Sequence, residues 1–333
     1  MAPGGDPDPP VRISVIVISY NVRTRLGACL RSIAETLQGT PHEVIVVDNG
    51  SSDGTVEMVA REFPDVRIVA NERNVGFCMA NNQGIAKASG QYVMLLNPDT
   101  ELLPGAVHLL LAYLSQHTEV WAVGPDLPQP TDPIAVLACG YQPTLRRAFN
   151  QYFFLTALRP RSEVLRGINL YRHGAHKAAT EVEWISGACI LTRASVLATV
   201  GGLDEGIFLY TDDFEWCRRV IRAGGKIMYL PEAVVMHYAG SSARAVRHWA
   251  LWIWAGAWID YFRRTNGVTS AVPFAFIVAF GYGFRAVLGA VRLLLTRDSR
   301  FLASVQRSVE VSVFSLLQLP VLLFKWARRE PIR

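Results

Sequence analysis

Polar side chains follow three apolar runs of the chain, at the point where each run ends. They are Ser19, Tyr20 and Asn21 after one run, Asp48 and Asn49 after another, and Asn97 and Asp99, on either side of Pro98, after a third. One such end is explained by turn chemistry, because Asp and Asn are common turn residues. Carboxylate and amide oxygens also bind hard divalent cations. Aspartate at two of the three ends therefore favours a ligand site over three unrelated turns.

Strands and helices must alternate to bring these ends together. Apolar runs predict strands at 13–18, 43–47, 66–70 and 92–96, and helical spacing of apolar side chains predicts helices at 23–38, 56–63 and 77–89. Apolar runs without alternation, each separated by a helix, indicate an α/β fold with a mostly parallel sheet and helices on both faces. In such sheets, ligands bind beyond the carboxyl ends of the strands, where these polar residues fall.

The composition leaves several partners open and disfavours one. The 333 residues suffice for one large domain with an appendage, or for two domains. The mean hydropathy of +0.21 is high for a freely soluble protein, so membrane contact is considered below. The net charge of +5 suits an anionic partner. Nucleic acid is disfavoured, because the α/β half has no compact basic patch interleaved with aromatic residues.

The cysteines and the N-terminus carry little functional signal. Five cysteines are scattered through apolar segments without CxxC spacing, which predicts reduced core thiols rather than disulfides or a zinc site. Residues 1–10 contain neither a basic start nor an apolar run. We therefore expect a disordered cytoplasmic tail there, and neither a secretory signal nor an anchor.

An ordered set of motifs over residues 11–245 resembles the nucleotide-diphosphate-sugar domain of glycosyltransferase family 2, which has the GT-A fold. The motifs are VIVISYN, VIVVDNGSSDGT, NVGFCMANNQG, LLNPDT, WISGACILTRASV, GGLDEGIFLYTDDFEWCRRVIRAGG and MHYAGSS. The NPDT form and the NVGF segment are most similar to the rhamnosyltransferase branch, whose donor is usually dTDP-L-rhamnose. The resemblance implies a Rossmann-like catalytic domain that binds a nucleotide-sugar.

The family pattern assigns nucleotide-sugar contacts to residues at the strand ends and at one helix start. Asp48 matches the position that accepts a hydrogen bond from the pyrimidine N3–H, and it is available because Asp53 and Thr55 can cap the following turn. The remaining predicted contacts are Ser19, Tyr20, Asn21, Asn74, Gly76, Asn82, Asn97 and Asp99. A structural turn explains Gly76 equally well.

The resemblance also implies a divalent cation. The departing nucleotide diphosphate gathers negative charge, which Mg²⁺ or Mn²⁺ can neutralise. The family's metal motif is Asp-x-Asp, and Asn97 replaces its first aspartate, so Asp99 remains as the anionic ligand. His237 matches the metal-contacting histidine of the family, although a lone strand-end histidine is more often structural.

The predicted general base is Asp213, which resembles the aspartate of the family's Glu-Asp pair. A carboxylate must take the proton of the attacking sugar hydroxyl. The spacing of Asp212 and Glu215 fits a capping box at a helix start, which leaves Asp213 without a structural explanation. We assign Asp212, together with Trp184 and Gly187, to the acceptor side.

Residues 246–333 differ in composition and predict helices that rest on a membrane. Four tryptophans precede a pair of arginines near residue 260, which suits either a membrane interface or a domain-packing helix. Ser304, Ser308, Ser312 and Ser315 mark one polar stripe on a later helix. Such stripes with basic edges predict interfacial rather than spanning helices. A two-helix re-entrant hairpin with breaks at Pro273 and Pro320 is the alternative.

These features predict an inverting, metal-dependent glycosyltransferase at the cytoplasmic face of the membrane, either peripheral or monotopic. The expected acceptor is a polyprenyl-linked saccharide, since a membrane-docked site can reach a lipid-tethered hydroxyl. Two alternatives remain: transfer of another sugar from a UDP or GDP donor, and a non-catalytic nucleotide-sugar-binding or scaffold protein, which Asn97 alone supports. The oligomeric state stays open.

Overall fold

A computed structural model describes residues 12–129, 138–160, 162–170, 178–238, 247–298 and 300–328. The predicted tail at 1–10 and the predicted domain boundary at 245–246 lie outside these residues. The described residues divide into two compact units. The first comprises 12–139, 178–208 and 216–238, and the second comprises 140–170, 209–215 and 247–328.

Strands and helices alternate through the first part of the chain, and long helices end it. In chain order the elements are β1 Ile13–Ser19, α1 Arg23–Thr36, β2 His42–Asp48, α2 Thr55–Glu62, β3 Arg67–Ala70, α3 Phe77–Ile85, β4 Tyr92–Leu96, β5 Thr100–Leu102, α4 Ala106–Gln116, β6 Val120–Asp126, β7 Cys139–Gly140, α5 Leu145–Tyr152, α6 Leu155–Leu158, β8 Thr180–Val182, β9 Trp184–Ile185, β10 Cys189–Arg193, α7 Ala194–Val200, α8 Asp212–Arg222, β11 Lys226–His237, α9 Arg247–Asn266, α10 Val268–Thr296 and α11 Arg300–Arg328.

The central sheet of the first unit has the strand order β3-β2-β1-β4-β10-β6-β11-β5, with β8 also paired to β11. The first four strands of this order are mutually parallel, as the alternating pattern predicts. Strand β10 runs antiparallel to both β4 and β6, whereas β11 runs parallel to β6, so most strands share one direction and the prediction of a mostly parallel sheet is confirmed. The α/β architecture is that of the GT-A fold.

The core of this unit explains why its strands show no alternation. All seven residues of β1 are buried, since β1 lies inside the sheet and is covered on both faces. Even Ser14 is buried, and its hydroxyl donates to Glu43 Oε1 at 2.6 Å. All five cysteines are buried and free, which confirms the prediction of core thiols.

The second unit is largely helical, and its long helices do not break at the predicted prolines. Pro273 lies inside α10 and Pro320 lies inside α11, so both helices continue through them. Aromatic packing joins α9 to α10, with the rings of Phe262 and Phe274 stacked at 4.0 Å between centroids. Gly281 of α10 permits close packing on α5, since a Cβ there would lie 2.6 Å from Tyr152 Cβ.

Three of the four serines in the predicted stripe of α11 face the protein, and Ser304 is exposed. Ser315 and Ser308 are buried, and the hydroxyl of Ser312 donates to the carbonyl of Ala279 on α10 at 2.8 Å. The stripe therefore does not support an interfacial helix, and the membrane association of these helices stays a prediction. A periodic polar stripe marks one helix face, but it does not say whether that face meets water or another helix.

Candidate active site

Three neighbouring strands, β2, β1 and β4, end beside one another and carry the predicted strand-end residues. Ser19 of β1 lies opposite Asp48 of β2 in the parallel register. Ser19 Oγ, Asp48 Oδ1 and Asn97 Oδ1 are all buried and have no hydrogen-bond partner among the described residues. A buried polar atom without a partner carries a desolvation penalty, so native proteins satisfy nearly all such atoms. Three of them at adjacent strand ends mark a site that a polar ligand completes.

Asp48 uses its two carboxylate oxygens differently. Oδ2 accepts hydrogen bonds from the backbone N–H groups of Gly50 at 3.1 Å and Ser51 at 2.8 Å, whereas Oδ1 has no partner. The expectation that Asp48 is wholly available is thus wrong for one oxygen. Asp53 does shape the following turn, because its Oδ1 accepts from the Thr55 N–H and hydroxyl.

Asn21 and Tyr20 lie where β1 meets the turn after β2. Asn21 has a left-handed backbone, with φ of 53°. Its N–H donates to Ser51 Oγ at 2.9 Å, and its Oδ1 accepts from the Ser52 N–H at 2.8 Å. Asn21 therefore fixes the turn, while Tyr20 leaves its ring exposed next to it.

A network of amide side chains sets the backbone before α3. Asn74 Oδ1 accepts from the Gly76 N–H at 2.9 Å and from Asn49 Nδ2 at 3.3 Å. Gly76 has φ of 94°, and a Cβ there would lie 2.9 Å from the ring of Phe208. The structural explanation of Gly76 therefore holds: only glycine allows both this backbone conformation and this contact.

Asn82 anchors a loop instead of leaving its amide open for a ligand. Its Oδ1 accepts from the Leu203 N–H at 2.8 Å, and its Nδ2 donates to the Leu203 carbonyl at 2.9 Å and to Glu205 Oε1 at 3.0 Å. The Phe77 N–H donates to the Phe208 carbonyl at 2.9 Å. These bonds hold the segment 203–208 on α3.

Phe208 is a feature that the sequence argument missed. Its ring is half exposed and lies against Gly76, beside the predicted nucleotide contacts. Exposed aromatic rings are suitable surfaces for sugar and base stacking. Its position in the GGLDEGIFLY motif could have indicated a site residue. An aromatic side chain in such an apolar run, however, is equally typical of the hydrophobic core.

Asp99 and His237 form the pair predicted to hold a metal. β5 pairs with β11 so that Thr100 lies opposite His237. His237 Nε2 lies 3.4 Å from Asp99 Oδ1, and both side chains are mostly buried. A carboxylate and an imidazole suit Mn²⁺ or Mg²⁺, and the unpartnered Asn97 Oδ1 is a further oxygen two residues away. Among the described residues, no group of three His, Cys, Asp or Glu side chains could hold a metal alone. The residues present therefore fit a cation that a bound diphosphate helps to ligate.

The turn that contains Gly187 is bonded to the same strand end. The Asn97 N–H donates to the Ala188 carbonyl at 2.9 Å. Ser186 closes the turn, since its Oγ accepts from the Ala188 N–H at 3.3 Å. Trp184, the other first-unit residue predicted on the acceptor side, has a buried side chain.

Asp212 and Asp213 belong to the second unit and begin α8. The capping-box prediction is wrong: Asp212 is the first helical residue, and the Glu215 N–H donates to the Thr211 carbonyl at 3.0 Å. Tyr210 and Thr211, just before the helix, both have left-handed backbones, with φ of 66° and 61°.

The environment of Asp212 favours its neutral form. Its side chain is buried, and this burial raises the pKa of Asp212 to about 8, with the negative charges of Asp213 and Glu215 acting in the same direction. Asp213 Oδ1 accepts from the Phe214 N–H at 2.9 Å.

The first unit and its strand-end site define a nucleotide-sugar-binding protein of the GT-A class. Residues 14–153 match the family described as Glycosyl transferase family 2. The mannosyltransferase PcManGT from Pyrobaculum calidifontis, solved with GDP-Man and Mn²⁺, superposes with a TM-score of 0.56, covering 94% of this chain and 88% of that one. At 18% identity, this likeness shows the fold alone.

Named relatives include rhamnosyltransferases. The chain is 29% identical over 241 residues to the N-acetylglucosaminyl-diphospho-decaprenol L-rhamnosyltransferase of Mycobacterium tuberculosis, which covers 69% of this chain and 77% of the relative. The rhamnosyltransferase WbbL of Escherichia coli is 36% identical over 66 residues, 20% of this chain and 25% of the relative. The match of residues 14–153 to glycosyltransferase family 2 and the likeness to these relatives support a glycosyltransferase with a nucleotide-sugar donor, as the motifs predict.

Proposed function

We propose that the protein transfers L-rhamnose from dTDP-L-rhamnose to a hydroxyl of a polyprenyl-linked saccharide, with inversion and with a divalent cation, at the cytoplasmic face of the membrane. The observation that carries the donor site is the set of three buried, unpartnered oxygens of Ser19, Asp48 and Asn97. All three can accept a hydrogen bond, and Asn97 Oδ1 can also ligate a metal.

A bound nucleotide-sugar would supply hydrogen-bond partners for these oxygens. Asp48 Oδ1 would accept a hydrogen bond from the pyrimidine N3–H. The hydrogen bonds from the Gly50 and Ser51 N–H groups to Asp48 Oδ2 fix the orientation of the carboxylate for this contact. Tyr20 and Ser19 line the base and ribose pocket next to it. Asn74 and Gly76 shape the adjacent backbone, and Asn82 acts indirectly by holding the segment 203–208.

Asp99 and His237 would hold the cation, with Asn97 as a neutral ligand. When bound, Mg²⁺ or Mn²⁺ neutralises the charge that develops on the departing nucleotide diphosphate. Asp99 suits this role because its carboxylate is nearly buried and lies 3.4 Å from the imidazole of His237, which can also bind a metal. Asn in place of the first motif aspartate lowers the negative charge of the site, so the affinity for metal without nucleotide should be low.

Asp213 would serve as the general base. Its carboxylate takes the proton of the acceptor hydroxyl as the oxygen attacks the anomeric carbon and the bond to the diphosphate breaks. One displacement of this kind inverts the anomeric configuration. Asp212 would carry a proton at neutral pH and could donate a hydrogen bond on the acceptor side, where Trp184 and Gly187 are also assigned.

The relatives guide the choice of sugar and acceptor. The M. tuberculosis relative is named for L-rhamnosyl transfer to a decaprenol-linked N-acetylglucosamine, and a lipid-linked acceptor matches the apolar helices of the second unit. The nearest alternative is the same chemistry with a UDP- or GDP-linked sugar, which Asp48 alone does not exclude. A non-catalytic binding protein is the second alternative, since Asn97 replaces a metal-motif aspartate.

A thermal-shift screen of nucleotide-sugars with and without Mn²⁺ tests this function directly. A ligand at a hundred times its dissociation constant stabilises the native state by about 2.7 kcal/mol. We expect dTDP-L-rhamnose to raise Tm only when Mn²⁺ or Mg²⁺ is present. A rise with UDP- or GDP-sugars alone would select the alternative donor. No rise with any nucleotide-sugar would overturn the proposal.

A further inference from the structure

The helix pair α10 and α11 has small and hydroxyl residues at its contact, beside the buried side chains of Val278 and Val311. Its inner seam contains small and hydroxyl residues: Ser312 donates to Ala279, Ser315 is fully buried, and Gly289 lies so close to α11 that a Cβ would be 2.9 Å from Val305. Helices that pack in lipid use small residues and interhelical hydrogen bonds in this way. Soluble helix pairs bury their large apolar side chains instead.

The large apolar side chains of α10 are on its outside. Phe276, Phe280, Phe284, Val287, Val291 and Leu294, here called the outer stripe, recur at spacings of three and four residues and are all exposed. Phe280 and Leu294 expose 63% and 78% of their surface. Since residues three and four apart share one helix face, the outer stripe is continuous. Continuous exposed apolar surfaces of this kind mark interaction sites.

The charges of α10 lie where they can meet lipid headgroups or the protein interior. Arg285 turns inward: its guanidinium donates to the carbonyls of Tyr152 and Gln151 and packs over the Phe154 ring. Arg292 and Arg297 are exposed towards the C-terminal end of the same helix. On α11 the exposed apolar residues Leu302, Val309 and Val313 alternate with the exposed polar residues Gln306, Arg307 and Glu310. The outer stripe of α10 contains no polar residue, so it is the more continuous apolar face.

We propose that the outer stripe of α10 lies among the acyl chains of one bilayer leaflet, with Arg292 and Arg297 bonded to lipid phosphates at its edge. This deepens the proposed function and rests on it, because it names the surface by which the enzyme would reach a lipid-linked acceptor. Helix α10 is long and apolar enough to cross a membrane, with a mean hydropathy of 1.8 over its most apolar window. Arg285, which lies within the apolar part of α10 and is bonded to the carbonyls of Tyr152 and Gln151, argues for residence in one leaflet rather than a full crossing.

Matched charge substitutions in the full chain test where the membrane contact lies. Phe280→Glu places a carboxylate in the outer stripe, and Leu109→Glu places one at an exposed apolar position of α4 in the first unit, which is 42% exposed. We expect Phe280→Glu to weaken binding to vesicles of equal parts phosphatidylglycerol and phosphatidylcholine by about tenfold or more, and Leu109→Glu to leave it unchanged. Equal binding by both variants would overturn the assignment.

A spin label at the same positions tests depth and separates lipid from a second copy of the chain. The five native cysteines are buried, so a nitroxide reagent would label Phe280→Cys or Leu109→Cys selectively in the folded protein. On vesicles, the label at position 280 should become more accessible to O₂ than to a water-soluble nickel complex, and the label at position 109 should not. A label at 280 that is shielded from both in lipid-free, dimeric protein would show that a second copy covers the stripe, and would overturn the proposal.

The same preparations separate this inference from the proposed function. Stabilisation of Phe280→Glu by dTDP-L-rhamnose with Mn²⁺ should match the wild type, because the substitution lies outside the donor site. If the wild type itself shows no nucleotide-sugar stabilisation, the proposed function fails, whatever the vesicle result. If stabilisation is normal while the wild type does not bind vesicles, the membrane inference fails alone.

Discussion

Two buried aspartates, Asp99 in the first unit and Asp212 in the second, have neighbours of opposite kinds. Asp99 lies 3.4 Å from His237, a side chain that can be cationic or can share a cation with it. Asp212 lies beside Asp213 and Glu215, and the like charges add to the burial that raises its pKa. A carboxylate beside another potential metal ligand is suited to binding a cation, whereas a carboxyl group beside other negative charges tends to stay protonated. The comparison predicts that substitutions at the two places fail in different ways.

The largest expected effect is at Asp99. Asp99→Ala should reduce transfer to background and remove the Mn²⁺-dependent part of the stabilisation by nucleotide-sugar, because it deletes the anionic ligand. The fold should persist, because the substitution removes a polar group at the end of a strand and no apolar side chain of the core. Circular dichroism and thermal shift measure both points, with Asp65→Ala at an exposed aspartate as the control. Full activity of Asp99→Ala, or of the wild type in excess chelator, would contradict the metal assignment.

The next effect separates Asp213 from its neighbour. Asp213→Asn keeps the side-chain volume but removes the proton acceptor, so turnover should fall by about 10² to 10⁴ while donor binding persists. The turnover of Asp212→Asn should fall much less, because a carboxyl group that already carries a proton at neutral pH cannot accept the proton of the acceptor hydroxyl. Single-turnover kinetics with a lipid-linked acceptor compare the two. Wild-type rates in both variants would exclude Asp213 as the base.

A smaller effect is expected at His237, the neighbour that distinguishes Asp99 from Asp212. His237→Ala should raise the Mn²⁺ concentration needed for half-maximal nucleotide stabilisation by at least about tenfold, the lower limit for losing even an outer partner of a metal site. His237→Gln, which restores a neutral ligand atom, should recover part of the affinity. An unchanged Mn²⁺ titration in both variants would leave His237 with a structural role only.

The last expected effect is a pH dependence of stability to which Asp212 contributes. An unfolded aspartate loses its proton near pH 4, whereas burial keeps Asp212 protonated in the folded state until about pH 8. Its contribution to stability is therefore complete below pH 4 and is lost as the pH rises towards 8, by up to about 1.4 kcal/mol per pH unit.

Urea unfolding across this range measures that slope. Asp212→Asn should show a flatter dependence than the wild type and should be the more stable of the two at pH 8. Asp65→Asn, at an exposed position, should follow the wild type. Parallel curves for Asp212→Asn and the wild type would mean that the carboxyl ionises freely in the folded protein.

The sequence predicted those features that depend on short-range pattern. The runs around β1, β2 and β4 are buried strands, and their ends do bring Ser19, Asp48 and Asn97 together, because parallel strands finish at one edge of a sheet. Asp99 and His237 are 138 residues apart, and the family resemblance, not local pattern, paired them. Their 3.4 Å separation is a result of the β5–β11 pairing.

Other features depended on partners that a single sequence does not reveal. Asn82 had the right chemistry for a ligand contact, but the backbone of Leu203 uses its amide. Pro273 was one of the two breaks in the alternative of a re-entrant hairpin, yet α10 continues through it. The serine stripe of α11 has helical periodicity whichever way it faces, and only the contact of Ser312 with Ala279 assigns it to the interior.

The backbone just before α8 is strained, and this strain contributes to the free energy of folding. Tyr210 and Thr211 are consecutive, non-glycine and left-handed, and each such residue costs about 1 to 3 kcal/mol of conformational strain. That strain is tolerated only if the surroundings hold the segment in a single conformation. In the proposed mechanism this rigidity lowers the entropic cost of the reaction, because the segment that carries Asp212 and Asp213 is ordered during folding rather than in each catalytic cycle.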